Sequence, residues 1–103
     1  MAVFTLALAL SLAAPAPQEF TELQKDVRCV VALQAMASSL TDEVQKGALG
    51  GIMLFYMGRL SVQLAPPKIE SAINDVGKTV DPNQHRQLAL DCIERMKKFT
   101  GIT

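Results

Sequence analysis

This 103-residue chain has no tryptophan, a single histidine and a formal net charge of zero. Nucleic-acid-binding proteins usually carry a clustered basic excess, so a neutral chain argues against that class. The chain also lacks a CxxC pair, a P-loop, a GxGxxG segment and a GxSxG segment. Zinc, redox, nucleotide and serine-nucleophile sites normally need one of these patterns. We therefore predict no catalytic residue, no metal and no cofactor, and expect that the protein is not an enzyme.

His85 is the one residue that could support a different view. Asp81 lies four positions earlier, so the two side chains could meet at the start of a helix and share a proton or a metal. Two ligands without a third do not make a metal site. The alternative is a partly buried histidine beside a capping aspartate.

Charge is also missing from the first 17 residues, which include a leucine- and alanine-rich run at positions 3–12. Ser11 and Ala13 have the small-residue spacing that a signal peptidase recognises before a cut ahead of Ala14. The run is too short for a helix that spans a membrane, which needs about 20 apolar residues.

We predict a signal peptide at residues 1–13, with cleavage anywhere between positions 13 and 17. The remaining residues, 18–103, would form a single helical domain in the periplasm or outside the cell. Signal peptides usually have a basic start, and none is present near Met1. A retained membrane anchor, which would give the protein a membrane partner, and a buried first helix remain as alternatives.

The two cysteines, Cys29 and Cys92, fit export. In an oxidising compartment, an even pair in a small domain indicates one disulfide. Closing so long a loop stabilises the fold by about 4 kcal/mol. Two unpaired buried thiols are the alternative.

Helical periodicity begins after the signal. Thr21 and Gln24 form a capping-box pattern, which predicts a first helix from Glu22 to Ser39. Its apolar residues recur every three or four positions, as expected for one buried stripe. They are Leu23, Val27, Val30, Leu33, Ala37 and Leu40.

The second helix is predicted to start after a Thr41 cap and to end near Ala65. Pro66 and Pro67 cannot continue that helix but suit the first turn of a third, which should end at Gly77.

A fourth helix is predicted from the sequence DPNQ, where Asp81 caps, Pro82 takes the first helical position and Gln84 closes a capping box. Gly101 is the expected terminator. Acid-before-base pairs four residues apart are expected on its outer side, namely Asp91 with Arg95 and Glu94 with Lys98.

These signals predict an all-α fold, a small four-helix bundle with one disulfide that joins the first and last helices. Helix two is apolar nearly all round, which is typical of a helix that is central in a bundle or covered by another chain. Its glycines would allow another helix to approach closely. That neighbour is either a helix of the same chain or a protein partner, including a second copy. The residues proposed for partner binding are Gly47, Gly51, Met53, Phe55, Tyr56, Met57 and Gly58.

The order of these parts resembles two families of small exported bacterial proteins. A cysteine early in the first helix, the segment FYMGRLS at 55–61 and the segment LALDCIERM at 88–96 are similar to HdeA-like acid-stress chaperones. Small periplasmic immunity proteins look similar too. The first resemblance implies partial unfolding in acid to bind clients, and the second implies inhibition of one enzyme.

Two functions follow as hypotheses. The first is an exported helical binding protein without catalytic activity, either chaperone-like or self-associating through helix two. The alternative is an immunity or inhibitor protein that binds one partner enzyme through charged residues such as Arg59, Lys68 and Glu70.

Overall fold

A computed structural model describes residues 19–101 of the chain. Those residues form four α-helices and one short 3-10 helix, and no strand occurs among them, which confirms the predicted all-α fold. The predicted signal peptide lies outside the described residues. The helices are α1 (Glu22–Ser39), α2 (Glu43–Gln63), α3 (Pro66–Gly77), the 3-10 helix η1 (Pro82–Gln84) and α4 (His85–Thr100).

Helix α1 has the predicted bounds and the predicted capping box. The Gln24 backbone N–H donates to the Thr21 hydroxyl, and the Thr21 backbone N–H donates to the Gln24 side chain. Both bonds satisfy N–H groups that lack partners in the first turn of a helix.

The start and end of α2 correct the prediction by one or two residues. Asp42, not Thr41, is the cap, because its carboxylate accepts hydrogen bonds from the backbone N–H groups of Val44 and Gln45. A carboxylate at this position also interacts favourably with the positive end of the helix dipole. The helix ends at Gln63 instead of near Ala65.

The region before α4 differs from the prediction in the type of helix. Asp81 does cap, but its carboxylate accepts from Asn83 within η1, and α4 starts only at His85. Gln84 makes no capping hydrogen bond with its side chain. Gly101 ends α4 as predicted, with a left-handed φ of 73° that glycine adopts without strain.

Helix α1 lies at the centre of the bundle, where α2, α3 and α4 all pack against it. Its buried residues lie on more than the predicted stripe, since Cys29, Val31 and Ala32 are buried as well. Helix α2 packs mainly against α1 and is peripheral, which corrects the expectation that this apolar helix is central. It buries only Leu49 and Tyr56, together with Leu60.

A disulfide joins Cys29 of α1 to Cys92 of α4, and their Cα atoms are 5.6 Å apart. The predicted disulfide between the first and last helices is thus confirmed. Such a bond indicates a non-reducing, extracellular-type environment. Within residues 19–101, none of the helices has the length and apolarity needed to cross a bilayer.

Candidate functional site

A buried charge cluster lies beside the disulfide, at the level where α1 and α4 run antiparallel. The Asp26 side chain on α1 is completely buried, with 0% exposure. A carboxylate removed from water needs charged or hydrogen-bonding partners to remain stable. Two arginines, Arg95 from α4 and Arg59 from α2, provide them.

Arg95 connects three parts of the cluster. One guanidinium nitrogen lies 2.7 Å from Asp26 Oδ1, and the other lies 2.7 Å from Glu22 Oε2 one turn earlier on α1. The guanidinium also lies over the rings of Tyr56 and Phe99, at 5.5 Å and 4.9 Å from their centroids. Arginine suits this position because its planar group can form ion pairs and stack on aromatic faces together.

Arg59 completes the neutralisation of Asp26 from the opposite side. Its Nε lies 3.1 Å from each carboxylate oxygen of Asp26, and its guanidinium lies 4.1 Å from the Phe99 ring centroid. The two acids Glu22 and Asp26 and the two arginines have no net charge as a group. The cluster thus joins three helices through ion pairs that neutralise one another, so it has little capacity to attract a charged ligand.

The surroundings of Glu22, Arg95 and Tyr56 in the cluster shift the pKa values of these three side chains. The hydrogen bond from Arg95 lowers the pKa of Glu22. Burial disfavours the charged form of Arg95, but hydrogen bonds to Asp26 and Glu22 outweigh burial and raise the pKa of its guanidinium. Burial also raises the pKa of the Tyr56 phenol.

Tyr56 connects the charge cluster to the Cys29–Cys92 disulfide. Its side chain is fully buried, and its hydroxyl donates a hydrogen bond to the backbone carbonyl of Cys92. Its ring packs edge-on against Phe55, with the centroids 5.1 Å apart. Tyr56 is therefore a core residue, which corrects its assignment to a partner-binding surface.

Sequence reasoning placed Arg95 on the outer side of α4, and this prediction is wrong. Arg95 points at α1 instead of pairing with Asp91, and Glu94 pairs with Lys97 at 3.2 Å instead of Lys98. The predicted disulfide could have indicated that Asp26 and Arg95 face each other between α1 and α4. Asp26 lies three residues before Cys29 and Arg95 lies three after Cys92, so antiparallel helices joined there bring the two charges together.

A strip of uncharged, exposed residues lies on α2, on the side opposite Leu49 and Tyr56. Three of its side chains are strongly exposed, namely Val44 at 81%, Leu54 at 72% and Val62 at 86%. The intervening positions follow at steps of three or four, as expected for one side of a helix. We call this surface the outer face of α2, and its residues are Val44, Gly47, Gly51, Leu54, Gly58, Ser61 and Val62.

The glycines of the outer face are open to solvent. A Cβ atom built on Gly47, Gly51 or Gly58 would have no neighbour within 4 Å. Close packing by a helix of the same chain, the simpler explanation for these glycines, is therefore wrong for the described residues. Met53, Phe55 and Met57, also proposed for partner binding, are half-buried and pack against the core.

The outer face borders a groove of about 720 Å³ between α2 and α3. Leu54 and Gly58 form its edge on α2, while Ile69 and Ile73 contribute from α3. An approaching helix would therefore meet the glycines of the outer face of α2 and the apolar groove beside them.

Asp81 and His85, which could have met at the start of a helix, form no hydrogen bond with each other. Asp81 uses its carboxylate to cap η1, and His85 Nε2 is buried with no hydrogen-bond partner in the part of the chain that the structure describes. Among residues 19–101, no three His, Cys, Asp or Glu side chains lie together as metal ligands.

Comparisons with protein-family models, curated proteins and solved structures found no match to this chain.

Proposed function

We propose that this protein is an exported, non-enzymatic binding protein that contacts another polypeptide through the outer face of α2. The observation that carries the proposal is the exposure of Val44, Leu54 and Val62 on one uncharged side of a single helix. Single exposed apolar residues are common on soluble proteins, but here they share one side of a helix with glycines, an arrangement that suits contact with another helix.

The glycines favour a helix as the contacting element. Each interior glycine costs roughly 1 kcal/mol of helix stability relative to alanine, and no packing within the described chain offsets that cost at Gly47, Gly51 or Gly58. Small residues on one side of a helix let a second backbone approach closely. A partner helix on this surface would provide the missing compensation.

A second copy of the chain is the first partner to consider, with a chaperone client as the second. Two α2 helices packed antiparallel would bring Asp42 and Glu43 of one copy near the end of α2 that precedes Lys68 in the other. Helix α2 has 21 residues and is about 31 Å long. A contact one helix wide is therefore smaller than the roughly 800 Å² per partner of a standard interface. We expect self-association to be weak and to depend on concentration.

Export is supported by the disulfide and by the uncharged N-terminal pattern that predicts a signal peptide. Of the three charged residues considered for enzyme inhibition, Arg59 is engaged with Asp26. Lys68 and Glu70 are exposed and have no ion pair among the described residues. Only Arg59 is withdrawn from the surface considered for inhibition, so the preference for a binding role at α2 rests on its exposed apolar residues.

Site-specific photo-crosslinking tests the proposal directly. A photoreactive amino acid replaces Leu54 or Val62 on the outer face, and Leu90 of α4 serves as the matched exposed control. We expect crosslinked species from the two α2 positions, with a mass that identifies either a dimer or a second protein. Monomer alone at Leu54 and Val62, or equal crosslinking at Leu90, would contradict the proposed surface.

Gly51→Leu adds a second test by filling the glycine strip. Sedimentation velocity over a concentration series should show weaker association for this variant, with Leu90→Gln unchanged from wild type. If binding is instead to a client, the same variant should reduce the yield of the heterologous crosslink.

A further inference from the structure

A second concave surface lies between the end of α1, the start of α2 and the start of α4. It is a groove of about 650 Å³, within the roughly 300–1,000 Å³ typical of small-molecule sites. It shares no residue with the outer face of α2, so whatever binds there is independent of the function proposed above. Most of its lining is apolar, with Met36, Leu40, Leu49, Ile52 and Ile93 as the larger members.

Two polar residues of the groove, His85 and Arg86, lie where α4 begins, and two uncharged ones, Ser39 and Gln45, lie on α1 and α2. His85 lines the groove, and its Nε2 atom is buried without a hydrogen-bond partner in residues 19–101. An unsatisfied buried polar atom destabilises the folded state. Because Nε2 has almost no accessible surface, a ligand in the groove would contact the rest of the imidazole ring and not this atom.

Arg86, the next residue, also lines the groove, and no carboxylate of residues 19–101 lies within ion-pairing distance of it. Both residues occupy the first turn of α4, a 16-residue helix whose positive dipole end favours a negative charge. Among residues 19–101, no acidic side chain lines the groove. An anionic group is therefore complementary to this end, and an apolar chain is complementary to the rest.

We propose that this groove binds a long-chain carboxylic acid. Its carboxylate would pair with Arg86 at the start of α4, and its hydrocarbon tail would lie against Leu40, Leu49 and Ile52. Burial of the tail supplies affinity in proportion to the apolar area removed from water. A phosphate-rich ligand is a poor match, because the described residues contribute one basic side chain, Arg86, to the lining.

The test is titration of the oxidised full-length protein with dodecanoate below its micelle concentration, followed by calorimetry and by amide chemical shifts. Dodecyltrimethylammonium, with the same tail and the opposite charge, is the matched probe. We expect saturable binding of one dodecanoate per chain, with shift changes around Leu40, Leu49 and His85. The cation should bind at least about tenfold more weakly, a difference of roughly 1.4 kcal/mol.

Variants assign the two ends of the ligand. Arg86→Gln should weaken dodecanoate binding about tenfold, and Lys98→Gln, which removes the same charge from an exposed position elsewhere on α4, should leave it unchanged. Ala48→Trp should abolish binding, since Ala48 is an exposed residue that lines the groove. Its circular dichroism spectrum should match that of wild type.

Three results would overturn the proposal. Equal affinity for the anion and the cation would show a merely apolar surface without head-group recognition. Unchanged binding in both Arg86→Gln and Ala48→Trp would place the ligand elsewhere, and the absence of saturable binding would remove the site. Leu54→Gln should retain dodecanoate binding, so failure of the α2 surface and failure of this groove are distinguishable.

Discussion

Arg95 and Asp26, 69 positions apart in the chain, form an ion pair of 2.7 Å between α4 and α1. The pair lies one helical turn from the Cys29–Cys92 disulfide, so a covalent bond and a buried salt bridge hold the same two helices. Both contacts are satisfied by the same register of α1 against α4.

Replacing Arg95 should destabilise the fold far more than replacing another stacked arginine. Arg95→Met leaves Asp26 buried with only Arg59 as its partner, and we expect a loss of about 3 kcal/mol in the free energy of unfolding. Arg28→Met is the matched control, because Arg28 lies over the Phe20 ring and forms no ion pair among the described residues. Urea denaturation measures both, and equal losses would show that the ion pair contributes nothing beyond stacking.

Removing the disulfide should lower the free energy of unfolding by about 4 kcal/mol, because its loop is 63 residues long. The variant Cys29→Ala with Cys92→Ala tests this in urea, alongside wild type treated with a reductant. The two measurements should agree within error. A difference from oxidised wild type below about 1 kcal/mol would contradict a stabilising staple.

Tyr56 should titrate at an unusually high pH. Burial raises the pKa of its phenol in the folded state, so the unfolded chain loses this proton first as the pH rises. The contribution of the protonated Tyr56 phenol to stability is therefore fully present below about pH 10, the pKa of tyrosine in an unfolded chain. It is lost as the pH rises through the pKa of Tyr56 in the folded state. Because the chain has one tyrosine and no tryptophan, absorbance at 295 nm reports this group alone.

The variant Tyr56→Phe is the control for that titration. It should lose about 1–2 kcal/mol at neutral pH, since the Cys92 carbonyl loses its hydrogen-bond donor. Its stability should fall less steeply above pH 10 than that of wild type. Identical alkaline profiles for the two proteins would disprove the linkage.

Glu22 should titrate at a lower pH than an ordinary glutamate, because Arg95 stabilises its ionised form. Its folded pKa is depressed, so its contribution to stability is present above the unfolded pKa and is lost as the pH falls through the folded value. NMR titration of the Glu22 carboxyl carbon measures the shift. In Arg95→Met the pKa should return towards the ordinary range, and an unchanged value would exclude Arg95 as the cause.

Two glycine substitutions should change the free energy of unfolding in opposite directions. Gly51→Ala should stabilise the monomer by about 0.5–1 kcal/mol, since an added Cβ meets nothing and alanine favours a helix. Gly101→Ala should destabilise it by about 1 kcal/mol, because φ at Gly101 is 73°. Thermal unfolding at low protein concentration measures both, and a destabilised Gly51→Ala monomer would reveal packing that is absent from the described fold.

The sequence by itself determined the local structure. The Thr21–Gln24 capping box, the prolines at the start of α3 and the terminating Gly101 each act within a few residues, so their effects on the backbone are visible in the pattern. Pairing of Cys29 with Cys92 was also predictable, because the chain offers no other cysteine. The cap of α2 was misplaced by one residue because Thr41 and Asp42 are both good caps.

Only the tertiary structure decided which helix is central and which surface remains open. Helix α2 looked the more central because it is apolar nearly all round, but its glycines offer no side chains to bury. Packing α1 against three neighbours buries larger side chains such as Val27 and Leu33 and leaves Leu54 exposed. Likewise, Asp26 and Arg95 read locally as surface charges, and their burial depends on contacts between residues far apart in the chain.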